Sequence, residues 1–197
     1  MNLLSIGGSD PSSGAGIQSD IKAFSSLNAH CLTVITAITG QNTSSFGMVE
    51  PVSQKILIDQ LNTIFSDFKI NGVKISMLYN SKIIKIIFEQ LKNKKIPIVV
   101  DPVIKSTTGG ILLEKTAIED FKKHIIPLAT IITPNRFEAE HLTKIKINSK
   151  KNLVKAAKRI QKLGAKNVAI TGIEQKNKIS DFILDADKSY FQSGNKI

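Results

Sequence analysis

The chain of 197 residues has no tryptophan, one cysteine and only 6% aromatic residues. A lone cysteine, Cys31, excludes an internal disulfide framework, and its place in a strand-like segment reads as a buried, inert thiol. No apolar run approaches the ~20 residues that a membrane-spanning helix needs, so no membrane partner is expected. The N-terminus lacks both the basic start and the long apolar stretch of a secretory signal, and a cytoplasmic protein is expected.

Arginine is scarce in a basic chain. A formal net charge of +11 and a pI near 9.7 raise nucleic acid as a partner. Only Arg136 and Arg159, however, supply the guanidinium suited to reading bases. The densest lysine group, Lys150, Lys151, Lys155, Lys158 and Lys162, alternates with Leu153, Ala156, Ile160 and Leu163. That pattern is a solvated helix face opposite a buried one. No nucleic acid is expected, although a positive field would favour an anionic small molecule.

Several catalytic signatures are missing as well. No G-x-x-x-x-G-K-[ST] run occurs, which argues against a P-loop nucleotide fold. Gly14-x-Gly16 followed by Ser19 is an imperfect dinucleotide fingerprint, and Ile35-Thr36-Ala37 carries no acid for a ribose. There is no nucleophile-elbow sequence. His30, His124 and His141 have no metal-ligand spacing with Cys31 or with one another.

What is present is an ordinary globular composition, 42% hydrophobic and 22% charged. A chain this long can fold as one domain, 1–197, burying about 70% of the surface its unfolded form exposes. Strands are expected at Leu3–Ile6, Leu32–Thr36, Val73–Met77, Ile96–Val100, Thr130–Thr133 and Val168–Thr171. Between them run helical stripes: Ile17, Ile21, Phe24 and Leu27; Leu57, Leu61, Ile64, Phe65 and Phe68; Ile83, Ile84, Ile87, Phe88 and Leu91. This alternation predicts an α/β fold, a mainly parallel sheet with helices on both faces. Phe46–Val49 reads as a short extra strand. Asp181–Leu184 and Ser189–Gln192 read as a β-hairpin around Asp185-Ala186-Asp187-Lys188.

Ligands of such sheets sit beyond the carboxyl ends of the strands. Here those ends carry polar loops and prolines: Asp10-Pro11, Asp101-Pro102 and Thr133-Pro134-Asn135. The first strand runs straight into Gly7-Gly8-Ser9-Asp10-Pro11-Ser12-Ser13-Gly14-Ala15-Gly16, which feeds a helix whose free N–H groups face back at the loop. A small polar or phosphorylated ligand fits such a loop.

Individual residues leave alternatives open. Asp20, at the border of the first helical stripe, is either a solvated capping carboxylate or a ligand for a hydroxyl or amine. Gln41-Asn42-Thr43 is either a polar turn or a source of carboxamides matching an aminopyrimidine edge. Asp101, with Asn135 and Glu138 on one helix face, suits a magnesium–phosphate site, because Mg²⁺ keeps waters and needs only one or two carboxylates. Glu138 equally suits the helix dipole. The loop Lys105-Ser106-Thr107-Thr108-Gly109-Gly110 is a cover for a triphosphate or a mobile connection.

Taken in order, GGSDPSSGAGIQSD, VITAITGQNT, KISML, VVDPV and TPNRFEAEHL resemble the hydroxymethylpyrimidine/phosphomethylpyrimidine kinases of thiamine biosynthesis. These belong to the ribokinase superfamily, in its branch with pyridoxal kinase, and the resemblance runs from the N-terminus to about Gly172. It implies a three-layer α/β/α ribokinase-like sandwich and transfer of the γ-phosphoryl group of ATP, with Mg²⁺, to hydroxymethylpyrimidine or its monophosphate. By the same resemblance Asp20, Gln41, Met77 and Val103 would line the pyrimidine pocket, with Gly8 letting the ring approach the backbone. Asp101 and Glu138 would organise the metal, Asn135 the phosphates. Thr171 and Gly172 would lie beside the nucleotide, where many relatives have Lys-Gly-Gly. A homodimer is implied too.

Relatives follow the hairpin with a Gly-[Ser/Thr]-Gly-Cys stretch that opens a helix and supplies the anion hole. This sequence reaches Ser193-Gly194-Asn195-Lys196-Ile197 without it, so no catalytic base is assignable and the C-terminal helices of the family are expected to be missing. The expected identity is a truncated kinase. The alternatives are a pyridoxal kinase, a non-catalytic pyrimidine- or ATP-binding protein, and one piece of a larger polypeptide.

Overall fold

The computed structural model describes residues 1–106, 108–175 and 178–195. Thr107 of the Lys105–Gly110 loop and Lys196 and Ile197 of the terminal stretch lie outside the described residues.

The chain begins with β1 (Asn2–Ser9), α1 (Gly16–Ser26), β2 (His30–Gln41) and β3 (Phe46–Pro51). It continues through α2 (Gln54–Asp67), β4 (Gly72–Ile75), α3 (Ser81–Leu91) and β5 (Ile98–Val100). A composite helical segment over 115–128 follows, with a single turn of regular helix, α4 (Ile118–Asp120), between tighter and wider turns. The last elements are β6 (Ile131–Ile132), α5 (Arg136–Thr143), α6 (Lys150–Lys162), β7 (Asn167–Gln175), β8 (Lys178–Asp185) and β9 (Lys188–Asn195).

Among the described residues nine strands join one sheet, ordered β3-β2-β1-β4-β5-β6-β7-β8-β9. The pairs from β2 to β7 are parallel, while β3 at one edge and β8 and β9 at the other are antiparallel. From β1 the chain moves outward to β2 and β3 on one side, then returns to β4 on the other. That reversal between β1 and β4 opens a crevice at their carboxyl ends, where ligands of α/β sheets bind.

The two faces of the sheet differ. Leu4, Ile6, Val73, Ile75, Val100, Ile132, Ile170 and Phe182 of one face form a single apolar cluster with α2, α3, the 115–128 segment, α5 and α6. In α3, Ile83, Ile84, Ile87 and Leu91 are all buried, each such side chain worth about 1.5–3 kcal/mol of burial. Asn80 starts this helix by accepting from the N–H groups of Lys82 and Ile83, both at 3.1 Å. Ser53 and Ser149 cap α2 and α6 in the same way.

The opposite face is covered, among the described residues, by α1, which rests on Ser5 and Gly7 through Asp20 and Ile17. Val99, on that face, is 39% exposed. This explains a difference from the periodicity: of the stripe Ile17, Ile21, Phe24 and Leu27, only Ile17 is buried, and Leu27 is 76% exposed. A stripe marks the side on which a helix can bury apolar surface; how much becomes buried depends on what stands opposite.

Strand boundaries also shift. β2 runs on to Gln41 because its second half pairs with β3, whereas β4 ends at Ile75 and β6 spans two residues, as the chain turns off toward the crevice. The hairpin is present and longer than expected, turning through Ala186 and Asp187 with Ala186 at φ 49°.

Candidate active site

The crevice at the β1–β4 reversal is a cleft of about 570 Å³, a size suited to a small molecule. Gly8, Asp20, Gln41, Met77 and Val103 line it together with Asp101, Asn135, Glu138 and Thr171. Residues far apart in sequence are thus brought to one place. Gly172 is not among the lining residues: it stands one position beyond Thr171 at φ 67°, and its N–H donates to Asp181 Oδ1 at 3.0 Å.

The glycine loop folds around its own carboxylate. Asp10 Oδ1 accepts from the backbone N–H and hydroxyl of Ser12 at 2.9 and 2.8 Å, and Oδ2 accepts from Ala15 N–H at 2.9 Å. Gln18 locks the same turn, accepting from Asp10 N–H and donating to Ser9 Oγ. Burial pushes the Asp10 carboxyl up, but hydrogen bonds from Ser12, Ala15 and Gln41 outweigh it and hold the group below its ordinary value. Some of the N–H groups that the sequence offered to a ligand are therefore satisfied internally. Gly16 makes the turn possible, since at φ 62° a Cβ would stand 2.5 Å from the Gly8 carbonyl oxygen.

Asp20 is not a solvated cap. It is 6% exposed, accepts from Ser5 Oγ at 2.6 Å through Oδ2, and pairs through Oδ1 with the ammonium of Lys74. Gln41, the last residue of β2, lines the cleft, and its side chain helps to lower the Asp10 carboxyl. Asn42 behaves as the polar turn: its Oδ1 accepts from the N–H groups and hydroxyls of both Ser44 and Ser45. Met77 lies against Gly8, where a Cβ would stand 2.6 Å from the methionine sulfur.

At the other end, Asn135 and Glu138 open α5 with a capping box: Asn135 Oδ1 accepts from Glu138 N–H at 2.9 Å, and Glu138 Oε2 accepts from Asn135 N–H at 2.8 Å. Glu138 is 4% exposed, and burial, aided by the charge of Asp101, pushes its carboxyl up to about 7. Asp101 is also raised by burial, opposed by Lys74 and reinforced by Asp20. The helix role and the cleft position of Glu138 are not alternatives; the side chain has both. The loop after Val103 is closed by hydrogen bonds of its own, Ser106 N–H to Gly110 carbonyl at 2.9 Å and Gly110 N–H to Ser106 Oγ at 2.7 Å.

Among the described residues, Asp10, Asp20, Asp101 and Glu138 line the cleft against only Lys74 and Lys105. The cleft is locally acidic inside a chain of net charge +11, so the global charge does not by itself attract an anion here. A phosphorylated ligand needs a cation at this site. Two carboxylates with raised pKa values, Asp101 and Glu138, make a donor set that suits one. Asp10 and Lys74 also line the cleft, and the sequence reading gives neither a role. A lysine inside the buried parallel strand Gly72–Ile75 was the available signal for Lys74. Cys31 is half-buried, with burial raising its thiol, the direction of low reactivity.

The sequence profile of the phosphomethylpyrimidine kinase family matches residues 10–197. Hydroxymethylpyrimidine/phosphomethylpyrimidine kinase of Aquifex aeolicus is 40% identical over 193 residues, covering 98% of this chain and 76% of that protein. The crystal structure of phosphomethylpyrimidine kinase from Clostridium difficile superposes with a TM-score of 0.88 at 40% identity, over 97% of this chain and 83% of that one. Pyridoxal kinase of Bacillus subtilis, in an ADP complex, gives 0.89 at 32% identity, over 100% of this chain and 76% of that one. Motifs, fold and cleft agree with these likenesses: the chain belongs to the phosphomethylpyrimidine kinase family.

Proposed function

We propose that this chain is a kinase acting on hydroxymethylpyrimidine, its monophosphate or both, with ATP as the phosphoryl donor and Mg²⁺ as the cofactor. The observation that carries the reading is one cleft lined by Gly8, Asp20 and Gln41 together with the carboxylates Asp101 and Glu138. Asp20 and the Gln41 carboxamide would take the amino and ring nitrogen groups of the pyrimidine, while Met77 and Val103 pack on its flat faces.

Asp101 and Glu138 would hold Mg²⁺, which neutralises phosphate charge when bound. Asn135 and Thr171 would border the nucleotide phosphates, with Gly172 just behind Thr171. Lys105, Ser106 and Thr108 line the same cleft and would add a cation and hydroxyls. The transfer forms a bond from the γ-phosphorus to the hydroxymethyl oxygen of the pyrimidine, or to a phosphate oxygen of its monophosphate, as the bond to ADP breaks. No base for the hydroxyl proton is assigned among the described residues.

The reading includes a homodimer in the cytoplasm, supported by the family resemblance and by the lone thiol. A pyridoxal kinase is the rival, since a pyridoxal kinase shares the fold; the higher identity to pyrimidine kinases favours the first reading. Release of ADP by this chain with ATP, Mg²⁺ and hydroxymethylpyrimidine phosphate tests it. Turnover that depends on the pyrimidine and exceeds turnover with pyridoxal is expected. Pyrimidine binding without ADP release, persisting when the family's Gly-[Ser/Thr]-Gly-Cys stretch is appended, would replace the kinase with a non-catalytic binding protein.

A further inference from the structure

Lys74 is a charged group of the cleft that the proposed reaction does not yet use, as is Asp10. On the sheet it is the register partner of Ser5, so the two side chains stand next to each other on the face that α1 covers. Asp20 descends from α1 onto both: Ser5 holds one carboxylate oxygen at 2.6 Å and the Lys74 ammonium holds the other. Asp101 follows β5, its backbone N–H bonded to the Ile75 carbonyl at 2.8 Å, so the same lysine lies within the field of a second carboxylate.

A carboxylate has about four lone-pair sites, and these two partners engage two of them. The carboxylate plane is therefore fixed from below while acceptor sites remain for a ligand. Lys74 also cancels the charge of Asp20. Without it, Asp20 would be a buried anion sharing a cleft with Asp101 and Glu138, and a buried charge stripped of its partner is strongly disfavoured.

We propose that Lys74 is a positioning residue for the pyrimidine, acting through Asp20: it fixes and neutralises the carboxylate that receives the ligand's amino group. The proposal rests on the pyrimidine-kinase reading and adds to it the residue on which recognition by Asp20 depends.

Calorimetric binding of hydroxymethylpyrimidine to the 197-residue chain and its variants tests this, with Mg²⁺·ADP binding measured separately and folding followed by circular dichroism. Lys74→Met is expected to weaken pyrimidine binding at least tenfold, and by more than it changes Mg²⁺·ADP binding, which it reaches only through the field at Asp101. Lys74→Arg, which restores a cation, is expected to recover most of the loss. In an Asp20→Asn background, Lys74→Met should change pyrimidine affinity less than twofold, because a residue acting only through Asp20 has nothing left to act on.

Equal losses in both backgrounds, an unchanged affinity in Lys74→Met, or no recovery in folded Lys74→Arg would each overturn the role. If Lys74→Met does not fold, the Lys74→Arg result and the comparison of Asp20→Asn with and without Lys74→Arg decide. A wild-type chain that binds no pyrimidine overturns the kinase reading and this role together, whereas a wild type that binds while Lys74→Met matches it overturns the role alone.

Discussion

Asn135 and Glu138 hold each other reciprocally, side chain to backbone in both directions, at 2.9 and 2.8 Å. The same glutamate lines the cleft. A helix start and a candidate metal ligand are therefore one structure, and disturbing either disturbs both.

The first prediction concerns pH. Glu138 titrates near its ordinary 4.5 when unfolded and at about 7 when folded, so the folded state retains the proton over that interval. Its contribution is complete below about pH 4.5, is lost as pH rises toward 7, and is constant above. At about 1.4 kcal/mol per unit the loss is roughly 3 kcal/mol. Asp101 acts in the same direction. Urea denaturation of metal-free protein across pH 4.5–8 should show this fall, and Glu138→Gln, which keeps the capping acceptor, should flatten it. Mg²⁺ competes with the same proton, so Mg²⁺-dependent stabilisation by ADP should grow up to about pH 7 and vanish with a chelator. Retained Mg²⁺ dependence in Glu138→Gln would remove the residue from the metal site.

Gln41→Ala removes a carboxamide from the cleft mouth. Pyrimidine binding should weaken by about 1–3 kcal/mol, the cost of leaving buried polar groups without partners. Titration calorimetry on folded variant is the check, and unchanged affinity would take Gln41 out of the site.

Gly16→Ala forces a side chain into φ 62° with its Cβ 2.5 Å from the Gly8 carbonyl oxygen and 3.1 Å from Asp10 N. The strained backbone alone costs about 1–2 kcal/mol, and the clash adds to it. Chemical denaturation should show a loss of at least that size. Pyrimidine affinity should fall as well, because Gly8 and Asp10 must move.

Phe182, 1% exposed in the middle of β8, stacks edge-on against Phe191 of β9 at 5.2 Å between ring centroids. Phe182→Ala should destabilise the fold by about 3–5 kcal/mol. A much smaller loss would mean that the hairpin is not integral to the core.

Much of this was legible locally. The α2 and α3 stripes and the lysine-faced α6 came from periodicity, because burying one side of a helix imprints spacing on the sequence. The strand ends Asp10-Pro11, Asp101-Pro102 and Thr133-Pro134-Asn135 marked the rim where ligands bind. Gly8, Asp20, Gln41, Met77 and Val103, by contrast, were placed at the cleft by the resemblance of five motifs to a known family. Asp20 was ambiguous for the same reason Lys74 was overlooked. A charge beside an apolar stripe reads as solvated until something is seen to pair with it, and these two partners lie 54 positions apart.

The sequence by itself determined the order of strands and helices, the helix caps and the chemical types gathered at the carboxyl rim, since all are set by near neighbours. Tertiary structure alone decided the rest. It placed α1 against Ser5 and Lys74 and left Leu27 in solvent; it turned a basic chain into an acidic cleft; and it raised Glu138 by burying it near Asp101. Burial and charge pairing depend on distances in space, which distances along the chain do not specify.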